Sequence, residues 1–463
     1  MFIVLVVFFL LNLLYSIWKF KVMINPATLF GLGFAIAGVM CMYFYDEWIM
    51  KTFRTDTFYV FFIGTLLFTG TCALMCPKTS DYISKEHIEN VPMKDLYAQR
   101  LFILLIIAVA IQAFVCYYKY KVISSTYGGF LAFSELVYTA HMDAREGEDL
   151  YPWWFKQVGG AMTNIAPFIY LVSGVFVAKG AMKGRWLLLF IAYLSLTILD
   201  SALNGGKGGA IQAVIIMIIA WYIKYIRIKH RFNVRKKVLA LIGGMGVAVF
   251  LGINIMNYWV GRGDENNTLD VAMYAGAVYC GAELKNMDIY MRSPKSTEVW
   301  GQNTFRRFYN MLDDKGLVFG YKDKRYESGA LKPFLSVHGY NLGNVYTLFC
   351  DLYWDFGWWG LLWMPVMAII LMIFFRKIFT SPKPVAQVSI WEFFYLSMAW
   401  HTFMSFFSNR FFEAYCNPLG IIKTLIYFYI IDFILRRWFY LQKEGKRTMV
   451  PNQRVQVGKA ELA

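Results

Sequence analysis

Long apolar runs recur along the whole chain, each long enough to cross a bilayer as an α-helix of roughly 20 residues. They predict spans at 2–18, 27–45, 57–76, 101–118, 157–178, 186–203, 210–226, 238–258, 342–375, 390–408 and 418–435. The run 342–375 exceeds one crossing, so we expect it to be kinked or broken. The pattern therefore predicts an all-α polytopic membrane protein with about eleven transmembrane helices.

The spacing of these runs divides the chain into four parts. Residues 1–258 form a first transmembrane bundle of about eight helices, and 342–440 form a second bundle. Between them, residues 259–341 are the only large segment without an apolar run, and a loop of that length usually carries short helices or a function. Residues 441–463 form a polar, basic tail.

Basic residues mark one side of the predicted membrane. They concentrate in the loops 179–185, 224–237 and 376–383 and in the C-terminal tail. The positive-inside rule places these loops in the cytoplasm and therefore places the N-terminus and the segment 259–341 outside. The first run has no basic residue before Lys19, so we interpret it as a retained span rather than a signal peptide.

Composition agrees with a membrane protein and argues against several other classes. The chain of 463 residues is 58% hydrophobic and only 16% charged, against about 25% charged residues in soluble proteins. The formal net charge of +16 is accounted for by the cytoplasmic loops, so we expect no nucleic-acid partner. Seven scattered cysteines without a C-x-x-C pair indicate neither a disulfide framework nor a metal site, and we predict no cofactor.

The stretch from His338 to Gly360 is the most unusual part of the chain. If it is helical from Asn341 onward, its polar residues share an arc of roughly 120° at helical spacing. These residues are Asn341, Asn344, Thr347, Asp351 and Asp355. Ionisable groups in lipid are costly and usually face a bundle interior or a wet cavity, so this stripe is a candidate site wall. A buried acid that pairs with a basic group or caps a broken helix is the alternative for either aspartate.

Cations are predicted on the outer side of the membrane, with Lys207, Arg262 and Arg410 near the ends of spans and Arg306 in the large loop. Lys207 lies in N-G-G-K-G-G directly before a helix, where backbone N–H groups favour an anion. Asp200 and Asn204 precede it at helical spacing. Arg262 suits bidentate phosphate recognition, or else contacts lipid headgroups. Arg410 could complete a cluster of outward-facing cations, and a local ion pair with Glu413 or an interfacial anchor is its alternative. An ordinary solvated charge remains the alternative for Lys207 and Arg306.

His338 directly precedes the polar stripe and is a natural general base, since its pKa lies near neutrality. A structural histidine near a loop end is the alternative. Asp351 is the second candidate base. Asn344, Tyr340, Trp354 and Trp358 are candidate contacts for sugar or lipid.

The residues N-V-Y-T at 344–347 and Y-W-D-F-G-W-W-G at 353–360 resemble the C-terminal signature of bacterial oligosaccharide repeat-unit polymerases, the Wzy class of O-antigen and capsule polymerases. The many spans, the large late loop and the basic cytoplasmic loops are similar across nearly the whole chain. Where relatives carry a serine–arginine–glycine turn, this chain has G-G-K-G-G, which keeps the charge but loses the bidentate fork. His338 is similar in position to the loop histidine of O-antigen ligases.

The resemblance implies a GT-C-like, metal-independent glycosyltransferase of the bacterial inner membrane. It would join undecaprenyl-pyrophosphate-linked repeat units by inverting transfer at the periplasmic face. Lys207, Arg262 and Arg410 would hold the pyrophosphate, with Arg306, Asn344 and Tyr340 as further substrate contacts and His338 or Asp351 as the base. Its partners would be the lipid-linked substrate, the bilayer and a chain-length regulator protein. An O-antigen ligase and a lipid-linked oligosaccharide transporter remain the alternatives.

Overall fold

The structure is a computed structural model that describes residues 1–76, 95–128, 135–137, 139–140, 150–204, 208–229, 269–294, 297, 299–318, 332–380 and 387–435. Within these ranges the chain is almost entirely helical. The exception is an antiparallel hairpin of two strands, β1 (Leu335–Val337) and β2 (Tyr340–Gly343).

The helices are α1 (Phe2–Phe20), α2 (Pro26–Tyr43), α3 (Thr55–Leu74), α4 (Asp95–Tyr127), α5 (Trp153–Ala178), α6 (Arg185–Leu203), α7 (Gly208–Lys229), α8 (Leu269–Cys280), α9 (Ala282–Tyr290), α10 (Arg306–Asp314), α11 (Leu348–Phe356), α12 (Trp363–Thr380), α13 (Ile390–Phe403), α14 (Arg410–Tyr415) and α15 (Pro418–Leu435). Short 3₁₀ turns occupy Met50–Thr52, Gly357–Leu362 and Met404–Phe406.

Nine segments in this part of the chain are long and apolar enough to cross a membrane. They are helices α1 to α7, helix α15 and the segment Leu348–Thr380, which contains α11 and α12. The prediction of an α-helical polytopic membrane protein is therefore confirmed. The predicted span 390–408 is the 14-residue helix α13 followed by a 3₁₀ turn. The predicted span 238–258 lies outside the described residues.

The long apolar run that begins in the polar stripe is broken, as its length predicts. Helix α11 ends at Phe356, and the next residue, Gly357, has a φ of 58°, which favours glycine. A Cβ on Gly360 would lie 2.2 Å from the carbonyl oxygen of Leu352, so only glycine permits this close approach. The two glycines of the D-F-G-W-W-G sequence thus fix the backbone between α11 and α12.

The polar stripe itself differs from the expected continuous helix. Residues 340–343 form strand β2, and helix α11 begins only at Leu348, after the N-cap residue Thr347. The side chain of Asn341 accepts a hydrogen bond from the backbone N–H of Gly343, a local contact that favours non-helical backbone. Of the five stripe residues, only Asp351 and Asp355 lie within the helix.

Part of the segment 259–341 belongs to the protein core. Helix α9 packs against α2 so closely that a Cβ on Gly281 would lie 2.9 Å from the backbone nitrogen of Cys41. Asp288 of α9 is fully buried and accepts a hydrogen bond from the backbone N–H of Arg54, at 2.8 Å, which satisfies an N-terminal donor of α3. Asp288 also pairs with Lys285 at 3.2 Å. This segment therefore positions the start of a transmembrane helix.

A closed ion cluster joins α7 to the start of α13. Lys224 and Arg227 lie 2.9 Å and 2.6 Å from the carboxylate of Glu392. The side chains of Lys224 and Glu392 are 0% exposed, and that of Arg227 is 8% exposed. Glu392 and Ser389 also form a capping box at the N-terminus of α13. We refer to Lys224, Arg227 and Glu392 as the α7–α13 ion cluster.

Candidate functional site

Two of the predicted cations, Lys207 and Arg262, lie outside the described residues. Asp200 and Asn204, which precede Lys207 at helical spacing, contact Lys119. Lys119 of α4 lies 2.6 Å from the carboxylate of Asp200 and donates a hydrogen bond to the side chain of Asn204 at 3.0 Å. The sequence did not indicate Lys119, because nothing in its local pattern marks a contact with a helix 80 residues away.

His338 occupies the exposed tip of the β1–β2 hairpin. It has a φ of 48° and is followed by Gly339 with a φ of 84°, which is the backbone of a tight hairpin turn. Histidine at positive φ is uncommon but tolerated. The His338 side chain is exposed, and the hairpin does not form a pocket around it.

Tyr340 and Asn341 attach the hairpin to helix α8. The ring of Tyr340 lies 5.7 Å from that of Tyr274, and the Tyr274 hydroxyl donates to the carbonyl of Asn341. Asn286 of α9 donates to the carbonyls of Leu342 and Val345 on either side of Asn344. Asn344 is half-buried in this turn. These contacts give the N-V-Y-T region a structural role.

Asp351 forms an ion pair with Lys332, which lies just before the hairpin. The Asp351 side chain is 4% exposed and that of Lys332 is 19% exposed. Burial by itself lowers the pKa of Lys332, but the carboxylates of Asp351 and Glu413 outweigh burial, so its pKa is raised above the usual value. Lys332 is thus a positive charge held at the end of α11.

The Asp355 carboxylate binds backbone N–H groups rather than a cation. Its carboxylate accepts hydrogen bonds from the backbone N–H of Asn303 at 3.0 Å and of Thr304 at 2.6 Å. The side-chain amide of Asn303 donates a third, at 3.1 Å. The aspartate of the D-F-G sequence therefore fixes the loop that leads into α10.

Arg306 and Arg410 come together around one carboxylate, although 104 positions separate them in the sequence. Arg306 lies 2.6 Å from Glu413, and Arg410 lies 3.8 Å from its other oxygen. The two guanidinium side chains are 32% and 45% exposed, while Glu413 is 10% exposed. We refer to Arg306, Arg410, Glu413, Lys332 and Asp351 as the α10–α14 ion cluster.

Buried polar atoms without protein partners border this cluster. Asn409, directly before Arg410, is 0% exposed, and neither atom of its amide group makes a hydrogen bond within the described structure. The buried hydroxyls of Ser408 and Thr347 are likewise without a described partner. Because buried polar groups are normally satisfied, such a concentration points to a site that takes up water or a polar ligand.

An aromatic wall separates the ion cluster from a neighbouring cleft. Phe305, directly before Arg306, packs against Trp363 at 5.2 Å and Phe412 at 6.4 Å between ring centres. The cleft has a volume of about 650 Å³ and is lined by Trp300, Asp355, Phe356, Trp359, Leu362, Trp363 and Val366. Leu362 and Val366 belong to a row of exposed apolar residues that continues along α12 with Ile369 and Ile373. The cleft therefore opens toward the surface that faces lipid.

Across the ranges given above, no group of three His, Cys, Asp or Glu side chains could hold a metal ion. Metal independence stays a prediction, because part of the chain lies outside those ranges.

Comparison with known protein families, curated proteins and solved structures finds no match to this chain. The resemblance of the N-V-Y-T and Y-W-D-F-G-W-W-G sequences to repeat-unit polymerases remains an expectation from the residues themselves. The geometry around Arg306 and Arg410 is the independent observation on which a function can be argued.

The structure thus brings together Arg306, Arg410 and Asp351, and it leaves His338 and Tyr340 on the hairpin. Sequence reasoning missed Lys332 and Asn409. Lys332 had no signal beyond a basic residue before a proline, and Asn409 had only its position next to Arg410. Both became visible through burial and contacts between distant parts of the chain.

Proposed function

We propose that the protein is an integral membrane glycosyltransferase that polymerises repeat units carried on undecaprenyl pyrophosphate. The observation that carries the proposal is the α10–α14 ion cluster, in which three cations lie beside partnerless buried polar groups and a lipid-facing cleft. A substrate with a doubly charged pyrophosphate between a sugar and a long hydrocarbon chain matches these three features.

The orientation of the protein is part of the proposal. Helix α13 begins at the α7–α13 ion cluster, and its far end leads into α14, so the two ion clusters lie about 20 Å apart along this helix. The sequences 224–237 and 376–383 are strongly basic, and the first of them begins with Lys224 and Arg227 of this cluster. The positive-inside rule therefore favours a cytoplasmic position for that end and a periplasmic position for the α10–α14 cluster. A GT-C-like arrangement with about eleven spans would then include 238–258.

In the proposed reaction, Arg306 and Arg410 bind the pyrophosphate and leave Glu413 as the pyrophosphate oxygens take its place. Guanidinium groups suit this exchange, because they bind carboxylate and phosphate oxygens in the same bidentate geometry. As the sugar–oxygen bond to the pyrophosphate breaks, negative charge develops on the leaving oxygen, and the cations stabilise it.

The acceptor hydroxyl attacks the anomeric carbon from the opposite face, and its proton passes to a base. Asp351 is better placed than His338, since it lies inside the cluster while His338 lies on an exposed turn. Pyrophosphate oxygens that attract Lys332 would weaken its pairing with Asp351 and release the carboxylate for this role. The hydrocarbon chain lies in the aromatic cleft, where Trp359 and Trp300 suit a membrane interface.

The test is elongation by purified protein. Full-length protein in nanodiscs is incubated with undecaprenyl-pyrophosphate-linked repeat units, and the glycans are resolved by gel. The proposal predicts a ladder of chains longer than one unit, without added nucleotide sugar or metal. Transfer only to an added lipid A core would indicate a ligase, and absence of any transfer would overturn the proposal in favour of a transporter.

A further inference from the structure

A second, polar cleft lies between helix α10 and the turn that joins α14 to α15. Its volume is about 420 Å³, which is at the small end of the range typical of ligand sites. The polar residues that line it are Arg307, Asn310, Asp314, Lys315 and Asn417, and Met311 and Leu419 supply apolar surface. The cleft differs from the aromatic cleft in that most of its lining side chains can form hydrogen bonds.

Two cations of this cleft are available to a ligand. Arg307 and Lys315 are exposed, and neither forms an ion pair with another residue in the described part of the chain. In contrast, the neighbouring Arg306 is held by Glu413. The guanidinium of Arg307 and the ammonium of Lys315 can therefore meet a negative charge without first leaving a carboxylate.

The amide side chains add groups that recognise hydroxyls. The side-chain oxygen of Asn310 is buried and has no hydrogen-bond partner among the described residues. Asn417 accepts a hydrogen bond from the backbone N–H of Gly420 at 3.1 Å, which fixes its amide plane and leaves its NH₂ group as a donor. An acceptor and an oriented donor thus lie in the same cleft.

The carboxylate of Asp314 decides between two kinds of anion. A phosphate carries up to two negative charges and few donors, so the Asp314 carboxylate repels it more strongly than it repels a singly charged sugar acid. A sugar acid carries one negative charge and several hydroxyl donors, which a carboxylate and an amide oxygen accept. A mixture of two cations, one carboxylate and two amides therefore fits a sugar acid better than a phosphate.

From this chemistry we infer that the polar cleft binds an acidic sugar residue, of the hexuronic acid type, in the glycan substrate. Its carboxylate pairs with Arg307 and Lys315, and its hydroxyls bond Asn310, Asn417 and Asp314. The inference rests on the proposed function, because the acidic sugar belongs to the chain being elongated. Arg307 and Arg306 both lie in the first turn of α10, so the polar cleft reaches the same end of this helix as the proposed reaction centre.

The experiment measures binding and does not depend on catalysis. Full-length protein in nanodiscs is titrated by saturation-transfer NMR with methyl α-glucuronide, with methyl α-glucoside and with inorganic phosphate. We expect saturable binding of the glucuronide and at least about tenfold weaker binding of the glucoside, since only the first makes charge-assisted hydrogen bonds. Phosphate should bind no better than the glucoside.

Variants locate the binding in this cleft. The double variant Arg307→Met/Lys315→Met should reduce the affinity for the glucuronide to that for the glucoside. The control Arg376→Met/Lys377→Met removes the same charge at the other end of the bundle and should leave the affinity for the glucuronide unchanged. Equal affinity for both sugars, preferential binding of phosphate, absence of sugar binding, or an equal effect of the control pair would overturn the inference. If glucuronide binds as expected and purified protein transfers no sugar, the proposed function fails and the sugar site remains.

Discussion

The two ion clusters at opposite ends of α13 contain similar groups and differ in exposure. Around Glu392, Lys224 and Arg227 are buried, and the carboxylate also caps a helix. Around Glu413, Arg306 and Arg410 are about a third to nearly half exposed. In the first cluster, groups of the protein itself pair with the Glu392 carboxylate, so the cluster joins helices α7 and α13. In the second cluster, Arg306 and Arg410 are partly exposed and nearby buried polar atoms have no described partner. These groups are available to a ligand.

The largest effect that separates the clusters is expected from removal of their glutamates. Glu392→Ala leaves two buried cations uncompensated and should lower the free energy of unfolding by about 3–5 kcal/mol. Glu413→Ala leaves exposed cations and should cost no more than about 1 kcal/mol. Apparent melting temperature in detergent and the yield of monodisperse protein give the comparison. Equal destabilisation by both variants would show that the α10–α14 cluster is structural too.

The arginines of the α10–α14 cluster should affect turnover without affecting stability. Arg306→Ala or Arg410→Ala should lower kcat for elongation by at least about 100-fold, the scale seen when one charge-stabilising donor is removed. The melting temperature should change by less than about 3 °C, because both side chains are partly exposed. Arg376→Ala is the matched control. Full activity of either variant would remove that arginine from the proposed site.

The two aspartates of α11 offer a finer version of the same comparison. Asp355→Asn weakens three hydrogen bonds that hold the loop before α10 and should cost about 1–3 kcal/mol in the free energy of unfolding. Asp351→Asn keeps the shape of the side chain and leaves Lys332, which is 19% exposed, under the influence of Glu413, so it should cost no more stability than Asp355→Asn and should lose more elongation activity. Thermal melting and single-turnover assays on both variants measure this. A larger stability loss in Asp351→Asn would contradict the assigned roles.

A buried carboxyl without a partner provides the smallest and most specific test. Glu283 is 0% exposed and makes no hydrogen bond to another described residue. Burial raises its pKa well above the usual value. The folded protein therefore binds the proton of the Glu283 carboxyl more tightly than the unfolded chain does. The stability that this proton contributes is fully present below the unfolded pKa of about 4.3. It is lost as pH rises through the raised folded pKa.

Glu283→Gln should therefore melt within about 1 °C of the wild type near pH 4.5 and above it by a few degrees near pH 8. Differential scanning fluorimetry at both pH values measures the difference. Glu392→Gln is the contrasting variant, and it should be less stable than the wild type at both pH values. A melting difference for Glu283→Gln that does not change with pH would contradict a raised pKa.

Local periodicity was sufficient for much of the membrane architecture. The apolar runs predicted the positions of helices α1 to α7, α13 and α15 to within a few residues at most ends, because burial in lipid demands long apolar stretches. The single run 342–375 covers α11 and most of α12. Helix α4 continues to Tyr127, nine residues beyond the predicted span, where polar residues no longer carry a hydrophobic signal. A kink or break somewhere in the run 342–375 was expected from its length, and the structure places the break at Gly357.

The candidate site was predictable only in part. Arg306 and Arg410 could be chosen as cations, but their meeting at Glu413 depends on how α10 docks on α14. Lys224 and Glu392 pair across 168 positions, and no local pattern encodes such a contact. A helical projection placed Thr347 and Asp355 on the same polar face and could not distinguish them. The hydrogen bonds that Asp355 accepts from Asn303 and Thr304, which are distant in sequence, show that it holds the loop before α10.

The most direct test of the contrast between the clusters is binding of a short lipid pyrophosphate. Farnesyl pyrophosphate is titrated against full-length protein in nanodiscs, with Arg306→Ala/Arg410→Ala and Arg376→Ala/Lys377→Ala as matched double variants. Saturable binding that falls at least about tenfold in the first variant, and is unchanged in the second, is the predicted result. Equal binding by all three proteins, or no binding by the wild type, would contradict a pyrophosphate site at the α10–α14 ion cluster.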